Sequence, residues 1–206
     1  MRGLALFAAA MFLTAVPGVA EAHLVNTRLG DFYDGILRPL TGFEFALPWL
    51  ALAILAAFQG KRRGRWLILT FPLGLLAGAL LSIVLPHLGF VPILNVATFA
   101  VVGLMLATAL VLPSPALLAL GTITALLNGY ENGAEMAAAA DRFLFIAGTA
   151  AVGYIFVTLV TGSALAFLEG PGGWRSIALR AGGSWIAAVG IMVLGYQLMG
   201  LPHVGS

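Results

Sequence analysis

The chain alternates between long apolar segments and short breaks that contain polar residues, glycine or proline. Most of the apolar segments approach the roughly 20 residues that a helix needs to cross a bilayer. In lipid, only helices and closed barrels satisfy every backbone polar group. The pattern predicts six membrane-spanning helices, at about residues 39–58, 66–85, 92–112, 116 onward, 143–168 and 177–198. The predicted fold class is therefore all-α, a polytopic membrane helix bundle.

Residues 1–22 have the pattern of a secretory signal peptide. Arg2 gives a charged start, an apolar core follows, and Ala20-Glu21-Ala22 fits an A-x-A cleavage site. The alternative is a first membrane helix that the mature protein keeps. Cleavage would leave His23 as an extracytoplasmic N-terminus, whose amine and imidazole together can chelate a divalent metal. The competing interpretation is a histidine that merely follows the cleavage site.

An amphipathic stretch, residues 24–38, precedes the first predicted span and is expected to lie at the membrane interface. The span itself is predicted to begin at Pro39, because proline suits a first helical turn. Glu44 then lies about one turn inside it, and Pro48 removes the N–H that would pair with the Glu44 carbonyl. An ionisable residue in a span is a candidate functional residue. The alternative is a carboxylate near the lipid headgroups that pairs with Arg38.

The stretch 128–136 is the most polar part of the second half of the chain. Glu131 and Glu135 are four residues apart and share one face if the stretch is helical. Asn128 and Asn132 have the same spacing. The fourth apolar segment is only about a dozen residues long, so this stretch either continues its helix or breaks it. Both interpretations place the polar groups at or below the outer membrane surface, facing protein or water. Asn95 and Thr98 share a face near the outer end of the third span.

Composition supports a membrane protein and excludes several other classes. Hydrophobic residues make up 61% of the 206 residues and charged residues 9%, unlike a soluble domain. The absence of cysteine excludes disulfides, thiolate metal sites and cysteine nucleophiles. A net charge of +2, with no basic run interleaved with aromatic residues, argues against nucleic-acid binding. Ser163 and Ser184 have no histidine at span depth, so an enzyme is not favoured.

The charges predict an orientation of the chain in its membrane. The basic cluster from Lys61 to Arg65 marks the cytoplasmic side. Most acidic residues then fall on the outer side, where they would concentrate cations. The mature N-terminus would be extracytoplasmic. Gly74 and Gly78 form a G-x-x-x-G pattern that predicts close helix packing.

Two motifs carry a resemblance to the HupE/UreJ family, small bacterial membrane proteins regarded as nickel permeases. The first family motif has the form H-P-x-x-G-x-D-H, and residues 38–45 read R-P-L-T-G-F-E-F, with Gly42 in place and Glu44 standing for the aspartate. The second has the form H-G-x-x-H-G-x-E, and residues 128–135 read N-G-Y-E-N-G-A-E, which keeps Gly129, Gly133 and Glu135.

The chain departs from both motifs at every histidine. Arg38, Phe45, Asn128 and Asn132 stand where the family has imidazoles. Imidazole suits nickel, whereas amide and carboxylate oxygens suit harder ions. The resemblance thus implies a divalent metal permease with an altered site, and the transported ion would be a substrate, with no certain cofactor. The candidate binding residues are Glu44, Asn128, Glu131, Asn132, Glu135 and His23.

The resemblance also implies a single membrane domain, residues 23–206, embedded in the lipid bilayer of a bacterial inner membrane. The alternative function is a non-transporting subunit that has lost the metal site and binds a membrane partner or a second copy of itself. A transporter should require Glu44 and Glu135. A partner subunit should tolerate their replacement by glutamine but fail when the glycine faces are enlarged.

Overall fold

The computed structural model describes residues 29–85 and 88–200, and their regular secondary structure is entirely helical. Seven helices follow in chain order: α1 (Gly30–Thr41), α2 (Phe43–Phe58), α3 (Lys61–Val84), α4 (Val91–Thr108), α5 (Ser114–Ala134), α6 (Arg142–Glu169) and α7 (Trp174–Gly200). The all-α bundle is confirmed. The predicted signal peptide and His23 lie outside the described residues.

Helix α2 is the centre of the bundle. It is apolar on all sides, as expected of a helix surrounded by other helices. Trp49, Leu52 and Leu55 are fully buried along it. It contacts α6 and α4 most extensively and reaches every other helix. Side chains on this helix can therefore meet groups from several elements at once.

Glycines bring α3 and α5 into close contact, and this pair has the most extensive interface in the bundle. A methyl group added at Gly78 would collide with the backbone carbonyl of Leu126 on α5. One added at Gly129 would collide with the carbonyl of Leu75 on α3. The predicted close-packing face at Gly74 and Gly78 is confirmed, and its partner is the glycine pair of the second motif.

Two more helix pairs use the same device. Gly35 of α1 and Gly148 of α6 each lie against the backbone of the other helix, and Thr149 donates a hydrogen bond to the Gly35 carbonyl over 3.0 Å. Gly103 of α4 and Gly190 of α7 likewise face backbone atoms across their interface. The six outer helices therefore pack as three close pairs around α2.

The first span begins later than predicted. Pro39 lies inside α1, and the chain breaks at Gly42, whose extended backbone separates α1 from α2 at an angle of 73°. The prediction that Pro39 opens the span is wrong, because α1 is held against α6 through Gly35 and cannot continue along the axis of α2. The third span is also shorter, since Ala109 adopts a left-handed conformation (φ 50°) after Thr108.

Within the described residues, four helices are long and apolar enough to cross a membrane: α3, α4, α6 and α7. The bent pair α1 and α2 makes a fifth if it counts as one broken span. Helix α5 has 21 residues, but its last third is the polar stretch, which lowers its hydropathy. These helices indicate a multi-pass membrane protein in a lipid bilayer, without fixing the predicted number of six.

Most acidic residues and most basic residues lie at opposite ends of the bundle, with Arg38, Arg142 and Glu169 as exceptions. We call the end where α2 begins and α5 ends the acidic end, which holds Asp31, Asp34, Glu44, Glu131, Glu135 and Asp141. We call the other the basic end, which holds Lys61, Arg62, Arg63, Arg65, Arg175 and Arg180. Gly60, with φ 85°, makes the sharp turn from α2 into α3 at the basic end. The two ends match the sides that the charge pattern predicts, although the membrane side of each end stays a prediction.

Candidate functional site

The polar stretch continues helix α5 and does not break it. The helix ends at Ala134, and Glu135 occupies its C-cap position. Asn128, Glu131, Asn132 and Glu135 have the spacing i, i+3, i+4 and i+7, so they form one stripe along the helix. The two motif glycines lie on another face, against α3. The glycines therefore fix the position of α5, while the stripe faces the other helices and reaches the exposed surface of the acidic end.

A chain of hydrogen bonds links three helices at this stripe. The indole Nε1 of Trp49 on α2 donates to Oδ1 of Asn128 over 2.8 Å. Nδ2 of Asn128 donates to Oδ1 of Asn95 on α4. Nδ2 of Asn95 in turn donates to the carboxylate of Glu131. The chain thus runs from the buried centre of the bundle to a carboxylate near the acidic end.

The two ends of this chain fix the orientation of both amides. An indole N–H can only donate, so the Asn128 atom that faces Trp49 must be its oxygen. An ionised carboxylate can only accept, so the Asn95 atom that faces Glu131 must be its nitrogen. The second N–H of Asn128 donates to the backbone carbonyl of Thr124 over 3.0 Å. Asn128, predicted as a metal ligand, therefore has its oxygen and both N–H groups engaged by the protein.

Asn132 differs from Asn128 in having an unused acceptor. Its side chain is fully buried, and Nδ2 donates to the backbone carbonyl of Asn128 over 2.9 Å. Its Oδ1 is buried and has no hydrogen-bond partner among the described residues. A buried acceptor without a partner costs about 1–3 kcal/mol. This oxygen is consequently the free acceptor of the site.

Arg38 joins the two motifs at the exposed surface of the acidic end. Its guanidinium forms an ion pair with the Glu135 carboxylate and donates to the Glu135 backbone carbonyl over 2.8 Å. It therefore ties the end of α1 to the end of α5. The alternative in which Arg38 pairs with Glu44 is wrong, because the 73° bend after α1 places the guanidinium beside α5.

Glu44 lies half-buried in the first turn of α2, where the helix dipole favours a carboxylate. Its charge and that of Glu135 both repel the charge of Glu131, whereas Arg38 attracts it. The three predicted glutamates and Arg38 therefore share one electrostatic environment. This arrangement favours the arrival of a cation at the acidic end.

The described residues offer oxygen donors but no preformed cage. Within residues 29–85 and 88–200, no three His, Cys, Asp or Glu side chains are close enough together to hold a metal ion. The three histidines of the sequence, His23, His87 and His203, all lie outside that part of the chain. The available donors at the stripe are the Glu131 carboxylate and Oδ1 of Asn132. Glu44 and Glu135 supply further carboxylates nearer the surface of the acidic end.

Sequence reasoning missed Trp49 as a site residue. It reads as one more core side chain, and it does pack edge-to-face against Phe71 and Phe156 at 5.4 and 6.0 Å between ring centroids. The available signal was chemical, because a buried indole N–H needs an acceptor. Because α2 has no polar side chain near Trp49, that acceptor had to come from a polar residue of another span, and Asn128 supplies it.

Comparison with known proteins agrees with the motif evidence. A protein-family model described as HupE / UreJ protein matches residues 10–193. The protein named Protein HupE of Rhizobium leguminosarum bv. viciae is 26% identical over 182 residues, covering 88% of this chain and 93% of that protein. No solved structure matches the chain. The family match spans most of the chain, including both motifs, and the chain therefore belongs to the HupE/UreJ family.

Proposed function

We propose that the protein is an integral membrane transport protein whose substrate is a divalent metal cation, with binding at an altered, oxygen-lined site. The observation that carries this proposal is the fully buried Oδ1 of Asn132, which has no partner and lies on the same helix face as the Glu131 carboxylate. A bound cation would satisfy this unfilled acceptor, and the Glu131 carboxylate, one residue earlier on the helix, would supply the negative charge. The family, regarded as nickel permeases, supports the class of substrate.

The donor set determines which ions the site would favour. Amide and carboxylate oxygens prefer harder ions such as manganese or magnesium, while the imidazoles of the family motifs suit nickel. Asparagine in place of both histidines of the second motif therefore weakens nickel binding relative to manganese. We expect the site to bind an ion of nickel's size and charge more loosely than the histidine-containing family motif would. We also expect it to discriminate less against harder ions.

Each residue of the site has a proposed role in transport. The carboxylates of the acidic end attract the cation, and Glu135 must leave Arg38 before it can contact the ion. Glu131 and Oδ1 of Asn132 then bind it. The hydrogen-bond chain through Asn95 and Asn128 holds the Glu131 carboxylate in place, since it ends on the fully buried Trp49, and the Asn132 amide is held by its bond to the Asn128 carbonyl. No catalytic role is proposed for any residue.

Metal binding by the purified protein in detergent tests the proposal. Manganese, nickel, cobalt and zinc are titrated by calorimetry, with analysis of bound metal, into wild type and Glu131→Gln. The matched control is Glu169→Gln, an exposed carboxylate at the basic end. We expect saturable binding of about one ion, at least tenfold weaker in Glu131→Gln and unchanged in Glu169→Gln, because the half-buried Glu131 is the carboxylate on the same helix face as the free oxygen of Asn132.

One observation favours the alternative function, a non-transporting membrane subunit. The Asn128 amide already bonds to other groups of the protein, and Arg38 and Glu135 already pair with each other. The side chains of the site therefore occupy one another, as in a site that takes no ion. If no metal binds wild type above the level of Glu131→Gln, metal transport through this site is excluded and the subunit hypothesis is favoured. That hypothesis expects protein partners to be lost when the glycine faces are enlarged, and retained when Glu131 is replaced.

A further inference from the structure

A cavity at the basic end lies outside the candidate cation site. It has a volume of about 950 Å³, within the range of ligand-binding pockets, and lies between the first turns of α3 and α5. Its charged lining residues are Lys61, Arg62 and Arg63, and no carboxylate lines it. A cavity with only positive charges is suited to an anion.

The basic side chains of the cavity differ in how far they are already used. Arg63 donates to the backbone carbonyl of Leu112 over 3.0 Å, which fixes the loop before α5. Lys61 pairs with Glu169 at 2.6 Å, but both side chains are exposed, so water competes for the pair. Arg62 is exposed. Two cations of the cavity therefore remain accessible to a ligand while the third stabilises its wall.

The apolar surroundings indicate what kind of anion binds. Trp66 also lines the cavity and lies on the exposed side of α3, with Leu69 and Leu73 following at i+3 and i+7. These three side chains form an apolar stripe that leads from the cavity along a helix long enough to cross a membrane. Tryptophan at such a position is typical of the headgroup region of a bilayer. A second depression, of about 400 Å³, shares Trp66 and adds Arg65 and Leu69.

We infer that this cavity binds the headgroup of an anionic phospholipid, with its phosphate near Lys61 and Arg62 and its acyl chains along Trp66, Leu69 and Leu73. Basic pockets between membrane helices bind such headgroups elsewhere. A soluble anion would use the charges but would leave the apolar stripe unused. The inference is independent of metal transport, because no residue of the cation site contributes to it.

Native mass spectrometry of the detergent-purified protein tests this inference. Phosphatidylglycerol is titrated against phosphatidylcholine, and retained adducts are counted for wild type, Arg62→Gln and Lys61→Gln/Arg62→Gln. Each basic residue near an anionic headgroup contributes a factor of about five in affinity. We expect phosphatidylglycerol binding to weaken about fivefold in the single variant and about 30-fold in the double variant. Arg63 is left intact, since its contact with Leu112 supports the fold.

The matched control is Arg180→Gln, which removes one exposed positive charge, together with its 2.9 Å bond to the Ala107 carbonyl, from the same end but outside the cavity. It should leave phosphatidylglycerol binding unchanged. The inference is overturned if Arg180→Gln weakens binding as much as Arg62→Gln, or if phosphatidylcholine binds equally well. It is also overturned if inorganic phosphate binds with dependence on Arg62 while phosphatidylglycerol does not, which would indicate a soluble-anion site.

Discussion

At the scale of single residues, the site is organised by groups that can only donate or only accept. The Trp49 indole and the Glu131 carboxylate set the direction of the two amides between them. The sequence indicated Asn128, Glu131 and Asn132 as polar groups of one stripe. It could not indicate that the whole Asn128 amide is hydrogen-bonded to the protein while Oδ1 of Asn132 has no partner. That difference depends on which residues α2 and α4 bring opposite each amide.

Replacing Trp49 tests the hydrogen-bond chain. Trp49→Phe keeps an aromatic ring but leaves the buried Oδ1 of Asn128 without its donor. We expect a loss of about 1–3 kcal/mol in the free energy of unfolding, the cost of an unpaired buried acceptor. Thermal unfolding in detergent measures it, with the exposed Trp66→Phe as control. Equal melting temperatures for Trp49→Phe and wild type would contradict the chain.

Replacing Arg38 tests whether it controls the access of a cation at the acidic end. The ion pair with Glu135 is partly exposed, so Arg38→Gln should change the free energy of unfolding by no more than about 1 kcal/mol. Loss of the positive charge should nevertheless strengthen manganese binding severalfold, because Glu135 becomes free and a repulsive charge is removed. Arg142→Gln, also exposed at the acidic end, is the control. Unchanged manganese affinity in Arg38→Gln would show that Arg38 does not control access.

At the scale of elements, glycine spacing specifies the bundle more than hydropathy does. The G-x-x-x-G pattern of α3 predicted a close face, and the glycines of the second motif prove to be its partner. The boundary of the first span was not predictable from local signals. Pro39 suits a first turn, but the contact of Gly35 with α6 keeps α1 separate, and that contact joins residues more than 100 positions apart in the chain.

Enlarging Gly129 tests the contact of α3 with α5. A methyl group there meets the backbone carbonyl of Leu75, which cannot move as a side chain would. We expect Gly129→Ala to lower the free energy of unfolding by about 1–3 kcal/mol or more. Gly182→Ala is the matched control, since nothing lies within 4 Å of the added methyl group on α7. Similar stability of the two variants would refute close packing at Gly129.

At the scale of the whole molecule, hydropathy and charge were the strongest sequence signals. Both the all-α architecture and the separation of acidic and basic ends follow from them. Hydropathy alone is a poor guide to helix α5. A helix that carries the candidate site must also carry its polar groups, and these lower the mean hydropathy of the helix. The chain can tolerate this cost because both amide nitrogens of the stripe are hydrogen-bonded inside the bundle and are not turned to lipid.

Single cysteines test which end faces which side of the membrane, since the chain contains none of its own. Ala139→Cys lies exposed in the loop after α5 at the acidic end, and Ser114→Cys is exposed at the basic end. We expect a membrane-impermeant maleimide to label Ala139→Cys in intact bacterial cells and Ser114→Cys only after permeabilisation, because positive charges are retained inside. The opposite labelling pattern would invert the proposed orientation.

The most direct measurement of the central claim is divalent cation uptake into proteoliposomes that contain wild type, Glu131→Gln or Glu169→Gln. The proposed site predicts saturable uptake of manganese or nickel that Glu169→Gln retains and Glu131→Gln loses by at least tenfold, since Glu131 is the proposed charged ligand on the helix face that also carries the free oxygen of Asn132. Uptake no greater than that of empty liposomes for any ion, or uptake unchanged in Glu131→Gln, would contradict a cation permease built on this site.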